Sequence, residues 1–113
     1  MKKQRGEAKD WHETPINRFQ EMMRRIYFRR DSERGASGTF KWLLEEVDEL
    51  REAMGGSDKR ALEDEFADVL AWLASLANIL HVDIETVALR KYDNKCPKCC
   101  SSPCKCPFKE AKS

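Results

Sequence analysis

From Thr39 to Leu80 apolar residues recur at steps of three and four, and the main interruption is Gly55-Gly56-Ser57. That period belongs to a helix that buries one face, and paired glycines stop a helix. A link this short returns the chain alongside itself, so the two helices should be antiparallel neighbours. The first arm, about Thr39 to Met54, carries the stripe Phe40, Leu43, Leu44, Val47, Leu50 and Met54. The second, about Asp58 to Leu80 with Ser57 or Asp58 as cap, carries Leu62, Phe66, Val69, Leu70, Leu73, Ala77 and Leu80.

The flanks extend this pattern. Thr14-Pro15 reads as a helix start, with a cap followed by proline at the first helical position. The helix INRFQEMMRRIYFRR then sets Ile16, Phe19, Met22 or Met23, Ile26 and Tyr27 on one face. DSERGASG, Asp31 to Gly38, reads as a loop with two glycines. After His81-Val82, Asp83 caps a last helix, IETVALRKY. With no strand pattern, the expected fold is all-α, an antiparallel bundle of about four helices. The expected organisation is a polar tail at 1–13, a helical domain at 14–94 and a cysteine-rich tail at 95–113. A helical unit this small leaves apolar faces uncovered, which predicts a homo-oligomer.

The acids are oddly placed for surface helices. Glu46 and Glu49 form an i, i+3 pair on the flank of the first stripe, with Glu45 further round. Glu65 and Asp68 form the same pair on the second. Antiparallel packing can bring the two pairs face to face. They are then either solvated flank charges, which are common on helices, or an oxygen-ligand site for a hard divalent cation such as Mg²⁺. Trp42 lies one turn before Glu46 and Trp72 one turn after Asp68, so both indoles reach the same level of the hairpin. They are either helix-packing residues or a flat wall for a nucleobase whose phosphates meet the acids.

Charge narrows the classes further. With 21 basic and 20 acidic residues the net charge is +1, so no general basic field favours nucleic acid. No apolar run approaches the roughly 18 residues of a membrane span. MKKQRGEAKDW lacks the apolar stretch of a secretory signal, so the cytoplasm is the expected location. The five cysteines fall within eleven residues, CPKCCSSPCKC. A disulfide framework spreads its cysteines, whereas this clustering suits metal. Cys96, Cys99, Cys104 and Cys106 have the spacing to close a tetrahedral Zn²⁺ site that staples the tail, leaving Cys100 spare. Oxidised pairs without zinc are the alternative. His12 and His81, in a tail and a turn, read as surface residues, as do Arg24, Arg25, Arg29 and Arg30. Arg34 and Lys41 are either solvated charges or phosphate contacts.

Glu45-Glu46-Val-Asp-Glu49, then fifteen residues, then Glu65-Phe-Ala-Asp68, resembles the EExxE…ExxD signature of MazG-like nucleotide pyrophosphohydrolases. These belong to the all-α NTP pyrophosphatases. The resemblance covers roughly Phe19 to Asn94, including the D-x-E-R segment, ADVLAWL and VDIETVALRK. It implies a Mg²⁺-dependent enzyme that cleaves a nucleoside triphosphate between the α and β phosphates, giving the monophosphate and pyrophosphate in nucleotide-pool housekeeping. By position it implies Glu46, Glu49, Glu65 and Asp68 as Mg²⁺ ligands and Glu45 as support for the attacking water or a ligand. Trp72 would face the base. Lys91 and Asn94 resemble a K…N segment that contacts phosphate, here one residue shorter and followed by cysteines in place of a basic run. The rival class is a zinc-ribbon module that binds nucleic acid or protein and uses its helices only to oligomerise.

Overall fold

The computed structural model describes residues 15–108. Thr14 as a cap, His12, the tail at 1–13 and Lys109 lie outside the described residues. Three helices fold from the rest: α1 (Ile16–Met54), α2 (Lys59–Ile79) and α3 (Ile84–Lys91). The count is three rather than about four because the expected loop at Asp31 to Gly38 is helical almost throughout. Only Gly35 leaves the helical region, at φ 85°, ψ 169°. That left-handed φ is open to glycine at no steric cost, so one residue does the work expected of eight. A straight 39-residue helix would measure about 58 Å, yet the longest extent of the whole molecule is 49 Å. The bend at Gly35 therefore folds α1 into two arms, and both pack on α2.

The start and stop signals act largely as the sequence implies. The Asp58 carboxylate accepts the Ala61 N–H at 3.2 Å and that of Asp83 accepts the Thr86 N–H at 3.2 Å, capping α2 and α3. Proline takes the cap position itself: Pro15 precedes the helix, with no side-chain cap, and its carbonyl accepts the Arg18 N–H at 3.1 Å.

Packing departs most from expectation. The buried apolar residues are few, Met23, Leu43, Ala74 and Ala77. Most of the long stripe side chains stay out: Phe40, Leu44, Val47, Phe66, Leu70 and Leu73 are each exposed. On the first arm of α1, Ile16, Met22, Ile26 and Tyr27 are exposed as well, while Gln20 and Met23 face inward. The radius of gyration, 17.1 Å, exceeds the about 13 Å of a compact domain this long. One copy of the chain thus buries only part of its hydrophobic stripes.

A buried amide lock joins the three helices. The Gln20 side chain donates to Asn78 Oδ1 at 3.0 Å and to the Val82 carbonyl at 2.7 Å, and accepts the Ile84 N–H at 3.0 Å. Asn78 returns a bond to the Gln20 carbonyl at 3.1 Å. Gln20→Leu would leave these buried groups without partners, each costing about 1–3 kcal/mol. A loss of at least about 2 kcal/mol in urea unfolding is the expected result; an unchanged midpoint would show the lock to be incidental.

Candidate functional site

Antiparallel packing of α1 and α2 brings the expected acids together. Carboxylate oxygens of Glu46, Glu49 and Glu65 all lie within 4.8 Å of one another. Glu46 Oε1 and Glu65 Oε1 are buried, and neither has a hydrogen-bond donor in reach. Asp68 is one turn on and exposed, outside this trio, but its charge acts on both Glu46 and Glu49. Glu45 is exposed and outside the cluster.

Crowding without donors costs the ionised forms. Burial first, then the Glu49 charge, with those of Asp68 and Glu65 adding to it, push the Glu46 carboxyl up to about 7. The Glu65 charge first, then burial, raise that of Glu49. The consequence for stability has a definite sign. Between the ordinary 4.5 and about 7 the folded chain holds a proton on Glu46 that the unfolded chain releases, so stability falls as pH rises through that window. In chelator, the melting temperature should therefore be higher at pH 5 than at pH 7.5. A divalent cation should recover the difference at pH 7.5 and add little at pH 5. A melting temperature that rises across the window would show that the acids are not crowded.

Beside the acids, Trp42 and Trp72 do meet, with ring centroids 5.9 Å apart and planes 17° from parallel. They stack on each other rather than forming two walls. Inserting a base would need two contacts of about 3.5 Å each, more than the gap provides. Trp72 also lines a cleft of about 330 Å³ with Met23, Tyr27, Arg34, Asp68 and Ser75. Trp42 backs this wall and is half exposed.

Arg34 is the largest departure from the sequence reading. It is neither a solvated charge nor a free phosphate contact. Its guanidinium donates to Asp31 at 2.9 Å and Thr39 at 3.1 Å, and lies 4.8 Å from the centre of the Trp72 ring. Asp31 and Thr39 are almost wholly buried, at 2% and 0% exposure. Gly38 makes room for this: a Cβ there would stand 2.8 Å from Arg34 Cγ. The available signal was composition, since an Asp, an Arg and a Thr each one turn or so apart suit a helix better than a loop. By contrast Arg24, Arg25 and Arg29 are exposed, in surface pairs with Glu21 or Glu33, and Arg30 and Lys41 are exposed too. His81 is exposed at φ 59°.

Lys91 and Asn94 are not brought to the acids by any contact in the structure. The Lys91 ammonium lies 5.8 Å from the Tyr92 ring centre, and the Asn94 N–H is bonded to the Tyr92 carbonyl at 2.9 Å. Beyond them Cys96, Cys99, Cys104 and Cys106 place their sulfurs within 4.8 Å of one another, a second group able to hold a metal ion. All five cysteines are free thiols.

Among the described residues no single helix is long and apolar enough to cross a membrane. A search of curated proteins finds no match to the chain. The family model of the MazG nucleotide pyrophosphohydrolase domain matches residues 34–100, more than half of the chain. That span runs from Arg34 through both acidic pairs and both tryptophans to the first three cysteines. With the all-helical fold and the converging carboxylates, it means that the chain belongs to the MazG nucleotide pyrophosphohydrolase domain family.

Proposed function

We propose that this chain hydrolyses a nucleoside triphosphate between its α and β phosphates, releasing the monophosphate and pyrophosphate. One observation carries the reading: three carboxylates converge beside an aromatic cleft, and two of their buried oxygens lack any donor. Orphaned hard oxygens in a negative cluster fit a divalent cation, and Mg²⁺ suits a phosphate substrate. Glu46, Glu49 and Glu65 would hold it, with Asp68 completing the set from the cleft side. When bound, the cation supplies charge neutralisation on the phosphates and on the departing pyrophosphate.

The chain's own residues do the rest. The cleft has the lower end of the volume range of small-ligand sites, and its Tyr27 and Trp72 give a base apolar surface on which to stack. Trp42 stiffens that wall from behind, and Arg34 fixes the Trp72 ring. Asp68 lines the cleft and its charge acts on Glu46 and Glu49, so a base held there would point its phosphates towards the carboxylates. Glu45 stands on the exposed side and, as the family pattern implies, orients the attacking water. Lys91 and Asn94 would serve as phosphate contacts only if α3 or a second copy carried them to the site.

The catalytic unit is residues 14–94, with 95–113 as an appendage. It works as a homodimer or homotetramer, a reading supported by the uncovered Phe40, Leu44, Val47, Phe66 and Leu70. The cytoplasm fits a nucleotide-pool enzyme whose cysteines cluster at metal-ligand spacing rather than pairing as disulfides. The zinc-ribbon binding module is the weaker reading, because a scaffold has no use for converging acids. The test is incubation with a panel of NTPs and dNTPs in Mg²⁺, with products separated by anion exchange. Monophosphate with equimolar pyrophosphate supports the proposal. Diphosphate with orthophosphate, or no turnover of any nucleotide, would sink it.

A further inference from the structure

The tail beyond α3 has its own chemistry. From residue 95 to 108 there is no helix or strand and no fully buried side chain, and Phe108 is 91% exposed. Such a segment has no core to hold it in one shape. Yet four of its five sulfurs converge. Cys96 and Cys106 are 3.7 Å apart and Cys99 and Cys104 are 3.9 Å apart. Four thiolates about 2.3 Å from a central Zn²⁺ lie about 3.8 Å apart along each edge of the tetrahedron. A disulfide would need about 2.05 Å; these two pairs instead have the spacing of tetrahedral edges, and all four sulfurs lie within 4.8 Å of one another.

The backbone is arranged around the sulfurs in the same sense. The Lys105 N–H donates to Cys99 Sγ at 3.2 Å and the Cys106 N–H to Cys104 Sγ at 3.3 Å. Donors aimed at sulfur stabilise its negative form and orient it, the outer layer that thiolate metal sites need. The Cys100 N–H returns to the Cys96 carbonyl at 2.7 Å and the Cys96 N–H to Ser101 at 3.0 Å, closing the first CxxC turn. Cys100 itself is exposed, at φ 60°, and stands outside the group. The family match ends at residue 100, so two of the four sulfurs lie beyond it.

We propose that Cys96, Cys99, Cys104 and Cys106 form a closed tetrathiolate Zn²⁺ centre, that Cys100 is not a ligand, and that this ion orders the tail. With four protein ligands there is no open position, so the centre is structural and takes no part in nucleotide chemistry. Of the soft ions that accept four thiolates, Zn²⁺ binds without imposing a geometry or changing oxidation state.

The test uses the full chain purified with reductant and without chelator. Elemental analysis should find one zinc per chain. Cys100→Ser should keep it, whereas Cys104→Ser, which lies outside the family match, should lose most of it with helix content unchanged. Should Cys104→Ser fail to fold, the wild-type chain still decides. Iodoacetamide on the native protein should label Cys100 alone, and all five thiols after treatment with a strong zinc chelator. Iron in place of zinc, equal loss in Cys100→Ser, or five labelled thiols before chelation would each overturn the proposal. None of these readouts depends on pyrophosphohydrolase activity.

Discussion

Replacing Glu49 by Gln is expected to have two opposite effects: the metal-free protein becomes more stable, and pyrophosphate release falls by at least about 100-fold. Loss of even an outer partner of a metal ligand costs about 10–100-fold, and Glu49 is proposed as a ligand itself. The stabilisation arises because Glu49 sits with Glu46 and Glu65 inside a 4.8 Å group, where the Glu46 and Glu49 carboxyls resist ionisation. Glutamine keeps the shape and removes one charge. Melting in chelator and in Mg²⁺ separates the two effects. The variant should melt above wild type in chelator and gain little from Mg²⁺. A variant that melts lower in chelator and still turns over would show that Glu49 is an ordinary helix-flank charge.

Arg34→Met is expected to be the most destabilising single change in α1. It would leave Asp31, 2% exposed, as a buried carboxylate without its counter-charge. Breaking such a pair from one side costs about 3–5 kcal/mol, a large part of the about 5–15 kcal/mol that holds a domain folded. Thr39 also loses a donor and the Trp72 ring its guanidinium cover. Adding Asp31→Asn should restore part of the loss, since the neutral carboxamide no longer needs a counter-charge. The double-mutant cycle in urea isolates that coupling. A loss under about 1 kcal/mol for Arg34→Met, or no recovery in the double variant, would reduce this node to a surface ion pair. Fluorescence of Trp42 and Trp72 in the folded variant reports whether the stack depends on Arg34.

The hairpin itself was legible because it needs only local information. Paired glycines at 55 and 56, the Asp58 cap and a helical period fix which residues of α1 and α2 can face one another. The carboxylate group and the meeting of Trp42 with Trp72 follow from that register. Three things did not follow. The break in α1 falls on Gly35 alone, because Arg34 bonds to one oxygen of Asp31 and to the Thr39 hydroxyl across it. The reading of DSERGASG as a loop counted glycines and could not see that a buried ion pair would hold the flanking turns helical.

The tryptophans stack on each other rather than on a gap, a matter of ångströms set by packing and not by period. The stripes themselves are the third case. A hydrophobic period says that a face is to be buried but not against what. In one copy of the chain the polar pair Gln20 and Asn78 is buried, while Phe66 and Leu70 stay in solvent. The sequence by itself determined the helical hairpin, its Asp58 cap, and the four cysteines and three of the four expected acids that converge, since short-range spacing dictates each. Only the tertiary structure decided which carboxylate oxygens lack donors, which arginine is buried and which apolar face is left over. Those depend on distances between residues far apart in the chain, and no local period encodes them.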